Sequence, residues 1–109
     1  MPFVTLFIAH APDADPEKHR AVVDTGLYKL FAVVVRNQQQ GVEVVKHMVA
    51  EEGVQSVLLC PGHTHKDVAE VAAAAGDQVS VSVARGDGPG THIAMAAMEK
   101  AGWFNPPKA

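Results

Sequence analysis

The 109-residue chain has one cysteine, Cys60. One thiol cannot form a disulfide within the chain, so small disulfide-stabilised folds are excluded and nothing indicates an oxidising compartment. Long hydrophobic runs are also missing, since the longest, around residues 30–35, falls far short of the roughly 20 residues that span a bilayer. The first residues lack the charged and apolar segments of a signal peptide. We therefore expect a cytoplasmic protein without a membrane partner.

A strong excess of one charge is absent as well. The chain has 9 basic and 12 acidic residues, a formal net charge of −3, and no basic cluster. Binding to a phosphate backbone needs clustered Lys and Arg, so nucleic acid is not an expected partner. The sequence also lacks the P-loop lysine motif and the Gly-x-Gly-x-x-Gly spacing, so we predict no nucleotide site.

The composition that remains is typical of a globular protein, with 48% hydrophobic and 19% charged residues. A chain of this length forms one domain, here residues 1–109. Runs rich in β-branched residues predict four strands, at residues 4–9, 30–35, 57–60 and 79–84.

Helix signals follow each predicted strand. Start signals are found at Asp15-Pro16-Glu17, Asn37, Thr64–Asp67 and Thr91. Glycines that suit helix ends follow at Gly26, Gly53, Gly76 and Gly102, at intervals of 23 to 27 residues. This period is that of a strand–helix unit. It predicts an α/β fold with a four-stranded parallel sheet in flavodoxin-like order, or else half of a (βα)₈ barrel.

Polar side chains gather at the predicted carboxyl ends of these strands. Open parallel sheets bind ligands at that edge, because helix N-termini meet there. The residues predicted to share it are His10, Arg36, Cys60, Gly62, His63, Thr64, His65, Arg85, Thr91 and His92.

Three kinds of function fit this edge, and the first is catalysis. Cys60 ends a strand just before a helix, where a thiolate is stabilised. His63, His65, His10 or His92 would serve as its proton-transfer partner. We expect isomerase, racemase or lyase chemistry on a small anionic molecule without an organic cofactor.

The anion would be held by arginine and by backbone N–H groups. Arg36 and Arg85 offer fork-shaped positive charge, and the glycine-rich residues 85–91 lead into a predicted helix. Gly62, Thr64 and Thr91 are the other expected anion-binding positions.

The second kind of function is metal binding without catalysis. His63 and His65 form a His-x-His pair that can present two imidazoles to one divalent transition metal, with His10, His92 or Asp87 completing the shell. The third is a structural or regulatory homo-oligomer. Its contact would be the C-terminal tail, residues 103–109, where Trp103 and Phe104 lie beyond the last predicted helix.

Short motifs in a fixed order also indicate a family. Asp15–Arg20 (Asp-Pro-Glu-Lys-His-Arg), Val35-Arg36-Asn37 and Leu59-Cys60-Pro61-Gly62 resemble a family of small bacterial proteins of unknown function, over most of the chain up to about residue 85. That family has Cys-Gly-Gly-Phe where this chain has Cys60-Pro61-Gly62-His63. The resemblance implies an α/β fold and an important turn at Cys60, and it implies no activity. A cysteine at a strand end followed by a histidine is also similar to the aspartate/glutamate racemases, which use two such cysteines.

Overall fold

The computed structural model describes residues 1–105 as an open α/β structure. In chain order the elements are β1 (Phe3–His10), β2 (Arg20–Asp24), β3 (Tyr28–Val35), α1 (Gln38–Glu52), β4 (Ser56–Leu59), α2 (His65–Ala75), β5 (Ser80–Val83) and α3 (Gly88–Lys100). Residues 106–109 of the predicted tail lie outside the described residues. None of the helices in residues 1–105 is both long and apolar enough to cross a membrane.

The sheet has five strands in the order β2-β3-β1-β4-β5. The four predicted strands are parallel and lie in the predicted flavodoxin-like order, whereas β2 is antiparallel to β3 at one edge. The prediction of a four-stranded, purely parallel sheet is therefore wrong. The half-barrel alternative is also wrong, because neighbouring strands of such a barrel follow chain order, whereas here β1 lies between β3 and β4.

The extra strand replaces the first predicted helix. After Asp15 the chain makes one helical turn, in which His19 N–H donates to the Asp15 carbonyl at 2.8 Å, and it then becomes extended. Only three apolar residues follow, at 21–23, too few to form a buried helical face but enough for a strand paired with β3. Gly26, with φ of 100°, lies in the tight turn of this hairpin instead of ending a helix.

The next two helices begin and end where the sequence predicts. The Asn37 side chain accepts the Gln40 N–H at the start of α1, and Gly53 ends that helix in the left-handed conformation, with φ of 69°. Thr64 and Asp67 form the expected capping box at the start of α2.

The core lies between α1, α2 and one face of the sheet. Fully buried side chains from the strands meet buried side chains from both helices, among them Leu6, Ile8, Val33, Val45, Met48, Val57, Leu59 and Val71. Burial of one such side chain stabilises the fold by about 1.5–3 kcal/mol.

The last helix departs from this arrangement. α3 begins at Gly88 and not beyond Thr91 as predicted, because Pro89 is well suited to a first helical turn. The glycine-rich segment predicted as an anion-binding loop is thus partly helical, and Thr91 and His92 lie within α3. The helix contributes no buried residue.

Candidate functional site

The site begins where β1 and β4, neighbours in the sheet, reach their carboxyl ends. β1 ends at His10, and Cys60 directly follows β4. From β1 the chain crosses to β3 on one side, and it later returns to β4 on the other side. Ligands in open α/β sheets bind at such a reversal of strand order, because the loops separate there and leave a crevice.

Cys60 is held in place by its backbone. Its N–H donates to the Ile8 carbonyl at 3.0 Å, which extends the pairing of β4 with β1 by one residue. The half-buried thiol then lies between two imidazoles, with Sγ 3.8 Å from His10 Nδ1 and 3.6 Å from His63 Nδ1.

His63 is buried, with only 7% of its surface exposed. A turn brings its N–H to the Cys60 carbonyl, and its Nδ1 lies 3.1 Å from the same oxygen. A carbonyl only accepts, so Nδ1 carries the ring proton in this arrangement. The ring centroid is 4.4 Å from that of His10, and Nε2 is buried without a hydrogen-bond partner among residues 1–105. A buried unsatisfied nitrogen is typical of a functional site or of a bound ion.

Gly62 leaves this arrangement open to approach. A Cβ at this position would lie 3.7 Å from Cys60 Sγ and 4.0 Å from His10 Nδ1. Any larger side chain would therefore contact the donor atoms, whereas glycine leaves space beside them.

The local electrostatics favour a neutral His10. Burial lowers the pKa of His10 below its ordinary value of 6.5, and the neighbouring His63 lowers it further, whereas Asp67 opposes both effects. The pKa of the Asp67 carboxyl is itself lowered, first by the backbone hydrogen bond from Thr64. An anionic Asp67 thus lies near two imidazoles, of which His10 is available as a metal ligand or as a base.

A family model places the chain among known sequences. The model of a family of unknown function, DUF6506, matches residues 3–98. The chain belongs to this family. The match confirms the resemblance that the short motifs predicted. No curated protein and no solved structure matches the DUF6506 chain. The family brings no described activity, so the chemistry has to follow from the residues themselves.

The DUF6506 structure brings together only part of the predicted site. His10, Cys60 and His63 meet, whereas His65 is the exposed first residue of α2 and His92 is exposed on α3. The predicted His-x-His pair thus divides into one buried and one exposed imidazole. The sequence predicted that His10 and Cys60 share this edge, and the structure places His10 Nδ1 3.8 Å from Cys60 Sγ although the two residues are 50 positions apart.

The predicted anion-binding residues are all exposed. Arg36 is exposed after β3, and Arg85 forms an exposed ion pair with Asp87 at 2.6 Å. The Thr64 hydroxyl is used in the helix cap. The anion-binding roles of Arg36, Arg85, Gly62, Thr64 and Thr91 remain predictions.

Sequence reasoning assigned Asp67 only to the helix cap and missed its charge beside the imidazoles. The signal was present in the sequence, since a residue at the third helical position after His63 stays close to it.

Proposed function

We propose that this DUF6506 protein binds a zinc-type divalent transition metal through His10, Cys60 and His63. The observation that carries the proposal is the convergence of these side chains. One donor atom from each lies within 4.8 Å of the donor atoms of the other two. A thiolate with two imidazoles is a donor set that zinc, cobalt and copper ions prefer over magnesium or calcium.

The spacing of the donors fits such an ion. Zinc bonds of about 2.3 Å to sulfur and about 2.0–2.1 Å to nitrogen place these atoms about 3.5 Å apart in a tetrahedron. The two Sγ–Nδ1 distances, 3.6 and 3.8 Å, are close to that value. The sulfur–nitrogen spacing thus fits an ion once His63 Nδ1 releases the Cys60 carbonyl, and the fourth position would be left to water or to a small ligand.

Metal binding at this site would displace protons from the ligand atoms. The thiol proton would have to leave, and the His63 ring proton, now donated from Nδ1 to the Cys60 carbonyl, would have to move to Nε2 so that the ring stays neutral. His10 is closer to its binding state, because burial favours its neutral form. We therefore expect the metal affinity to rise with pH.

The test is cobalt titration of the full chain after removal of metals with a chelator. Cobalt bound by a thiolate gives a charge-transfer absorption, so the band reports on the Cys60 Sγ–metal bond. We expect a band at one equivalent, lost in C60S and weakened about 10- to 100-fold in apparent affinity in H10N and H63N.

Two exposed histidines provide the controls. H65N and H47N should bind cobalt like the parent chain, because neither residue is in the cluster. An H65N variant that loses the band while H10N keeps it would overturn the assignment in favour of the His63/His65 pair. A parent chain without any band would overturn metal binding.

Catalysis by the same thiol is the second candidate. The flanking of Sγ by two imidazole nitrogens favours it, since one ring can accept a proton while the other donates one. The substrate would be a small anionic molecule and the reaction an isomerisation, racemisation or elimination. Turnover in a panel of small anions that disappears in C60S, and that a chelator leaves unchanged, would favour this candidate over the metal site.

A further inference from the structure

Within residues 1–105, one face of the sheet carries no helix. Its middle row is Ala21, Ala32, Phe7, Leu58 and Ser82, in register across the five strands. We call this row, together with every second residue along each strand from it, the open face. α1 and α2 pack on the opposite face, and α3 contributes no buried residue.

The open face is uncharged and mostly apolar, with hydroxyl groups from Thr5, Tyr28, Ser56, Ser80 and Ser82. Leu58 is 42% exposed and Val23 is 56% exposed, and the open-face positions of the five strands include no Asp, Glu, Lys or Arg. One of its hydroxyls is already satisfied, since the Thr5 hydroxyl donates to Tyr28 Oη at 2.8 Å. Such a surface offers no charged side chain with which a charged partner could form an ion pair.

The chain exposes more surface than is usual for a monomeric protein of its mass. The accessible surface is 7301 Å². A monomeric protein of 11.5 kDa is expected to expose about 5,800 Å². The excess of about 1,500 Å² exceeds the roughly 800 Å² that each partner buries in a standard interface. Exposed apolar side chains on the open face, such as Val23 and Leu58, and on α3, such as Ile93, contribute to this excess.

We propose that the open face is the contact between two copies of this chain, packed sheet on sheet about a two-fold axis. In such a contact the same patch meets itself, so a face without charge meets no like charge. Two sheets packed face to face lie about 10 Å apart and bury a common apolar layer. The result is a four-layer dimer, with the helices of each copy outside and both proposed metal sites at the carboxyl ends of the central strands.

The matched test uses two adjacent residues of β2. Val22 and Val23 are exposed to a similar extent, 52% and 56%, but they point to opposite faces. In analytical ultracentrifugation of the full chain we expect a dimer for the parent and for V22D. V23D and L58D should raise the dimer dissociation constant by about 30-fold or more, because each places two carboxylates in the apolar layer.

Circular dichroism shows which variants remain folded. V23D lies on an exposed edge strand, so it provides a folded test even where L58D does not. A parent chain that is monomeric at about 100 μM would overturn the proposal. So would dimeric V23D and L58D beside a monomeric I93D, since that result would assign the contact to α3.

Discussion

At the scale of single residues, the molecule places three side chains of matching chemistry around one point. Cys60 supplies sulfur, and His10 and His63 supply nitrogen from either side. Burial acts differently on the three: it hides His63 almost completely and leaves Cys60 and His10 half-buried. A ligand would thus approach from the side of His10 and Cys60, with His63 behind them.

Stability should depend on pH through His10. Its pKa is lowered in the fold, so between that value and 6.5 the unfolded chain binds more protons than the native chain. The free energy of unfolding should therefore fall as pH is lowered below about 6.5. Urea unfolding of chelator-treated protein between pH 7.5 and 5 measures this, and H10N should show a smaller decrease.

H47N is the matched control, since His47 is exposed on α1. It should follow the pH dependence of the parent. An H10N variant that loses stability as steeply as the parent would show that His10 does not cause the effect.

The sequence predicted these residues only in part. A strand ending in cysteine and followed by two histidines was visible in the loop, so Cys60, His63 and His65 were all candidates. The sequence alone could not show that the turn after Cys60 buries the His63 imidazole and exposes that of His65. That difference depends on the His63 N–H bond to the Cys60 carbonyl.

At the scale of elements, α2 and the site share a boundary. His63 directly precedes Thr64, whose side chain accepts the Asp67 N–H, while Asp67 accepts the Thr64 N–H. The capping box thus fixes the helix start and the backbone that carries His63. Loss of the cap should affect both the stability of α2 and the geometry of the site.

We expect T64A to lower the free energy of unfolding by about 1 kcal/mol, the usual effect of losing an N-cap. It should also weaken cobalt binding several-fold, because the His63 backbone is less firmly held. N37A removes the corresponding cap of α1 and should have a similar effect on stability alone. Urea unfolding and cobalt titration measure the two effects. Equal cobalt affinities for both variants would contradict the link between cap and site.

Prediction of the elements succeeded where local signals and tertiary packing agree. α1 has a side-chain cap, a left-handed glycine and a buried face, and its bounds are confirmed. Residues 15–26 carry similar signals at both ends, but they lack an apolar face of helical length, and pairing with β3 determines their structure. Cap residues alone therefore do not establish a helix.

At the scale of the whole molecule, the core is one-sided. The buried side chains lie between the sheet and two helices, and the third helix adds none. A sheet with one bare apolar face is an incomplete layer structure, because stable domains bury both faces of a parallel sheet. The predicted homo-oligomer remains a proposal, and the open face now gives it a place other than the Trp103–Phe104 tail.

Substitutions in the core and on α3 should lower the free energy of unfolding by unequal amounts. L6A removes a fully buried side chain and should lower the free energy of unfolding by about 2–5 kcal/mol. M95A alters a side chain that is 45% exposed on α3 and should change it by less than about 0.5 kcal/mol. Urea unfolding of both variants at one protein concentration compares them. A large loss in M95A would show that α3 packs on the fold.

The antiparallel edge strand has a consequence for solubility. β2 is an edge strand, so the backbone groups along its outer side have no neighbouring strand in the sheet, and Val22 and Val23 are exposed. A strand of another chain could therefore pair with this edge. Arg20 and Asp24 stand at its two ends. Charges placed in this way act as gatekeepers that discourage fibrous stacking. We therefore expect the short length of β2 and its charged ends to limit strand addition at this edge of the sheet.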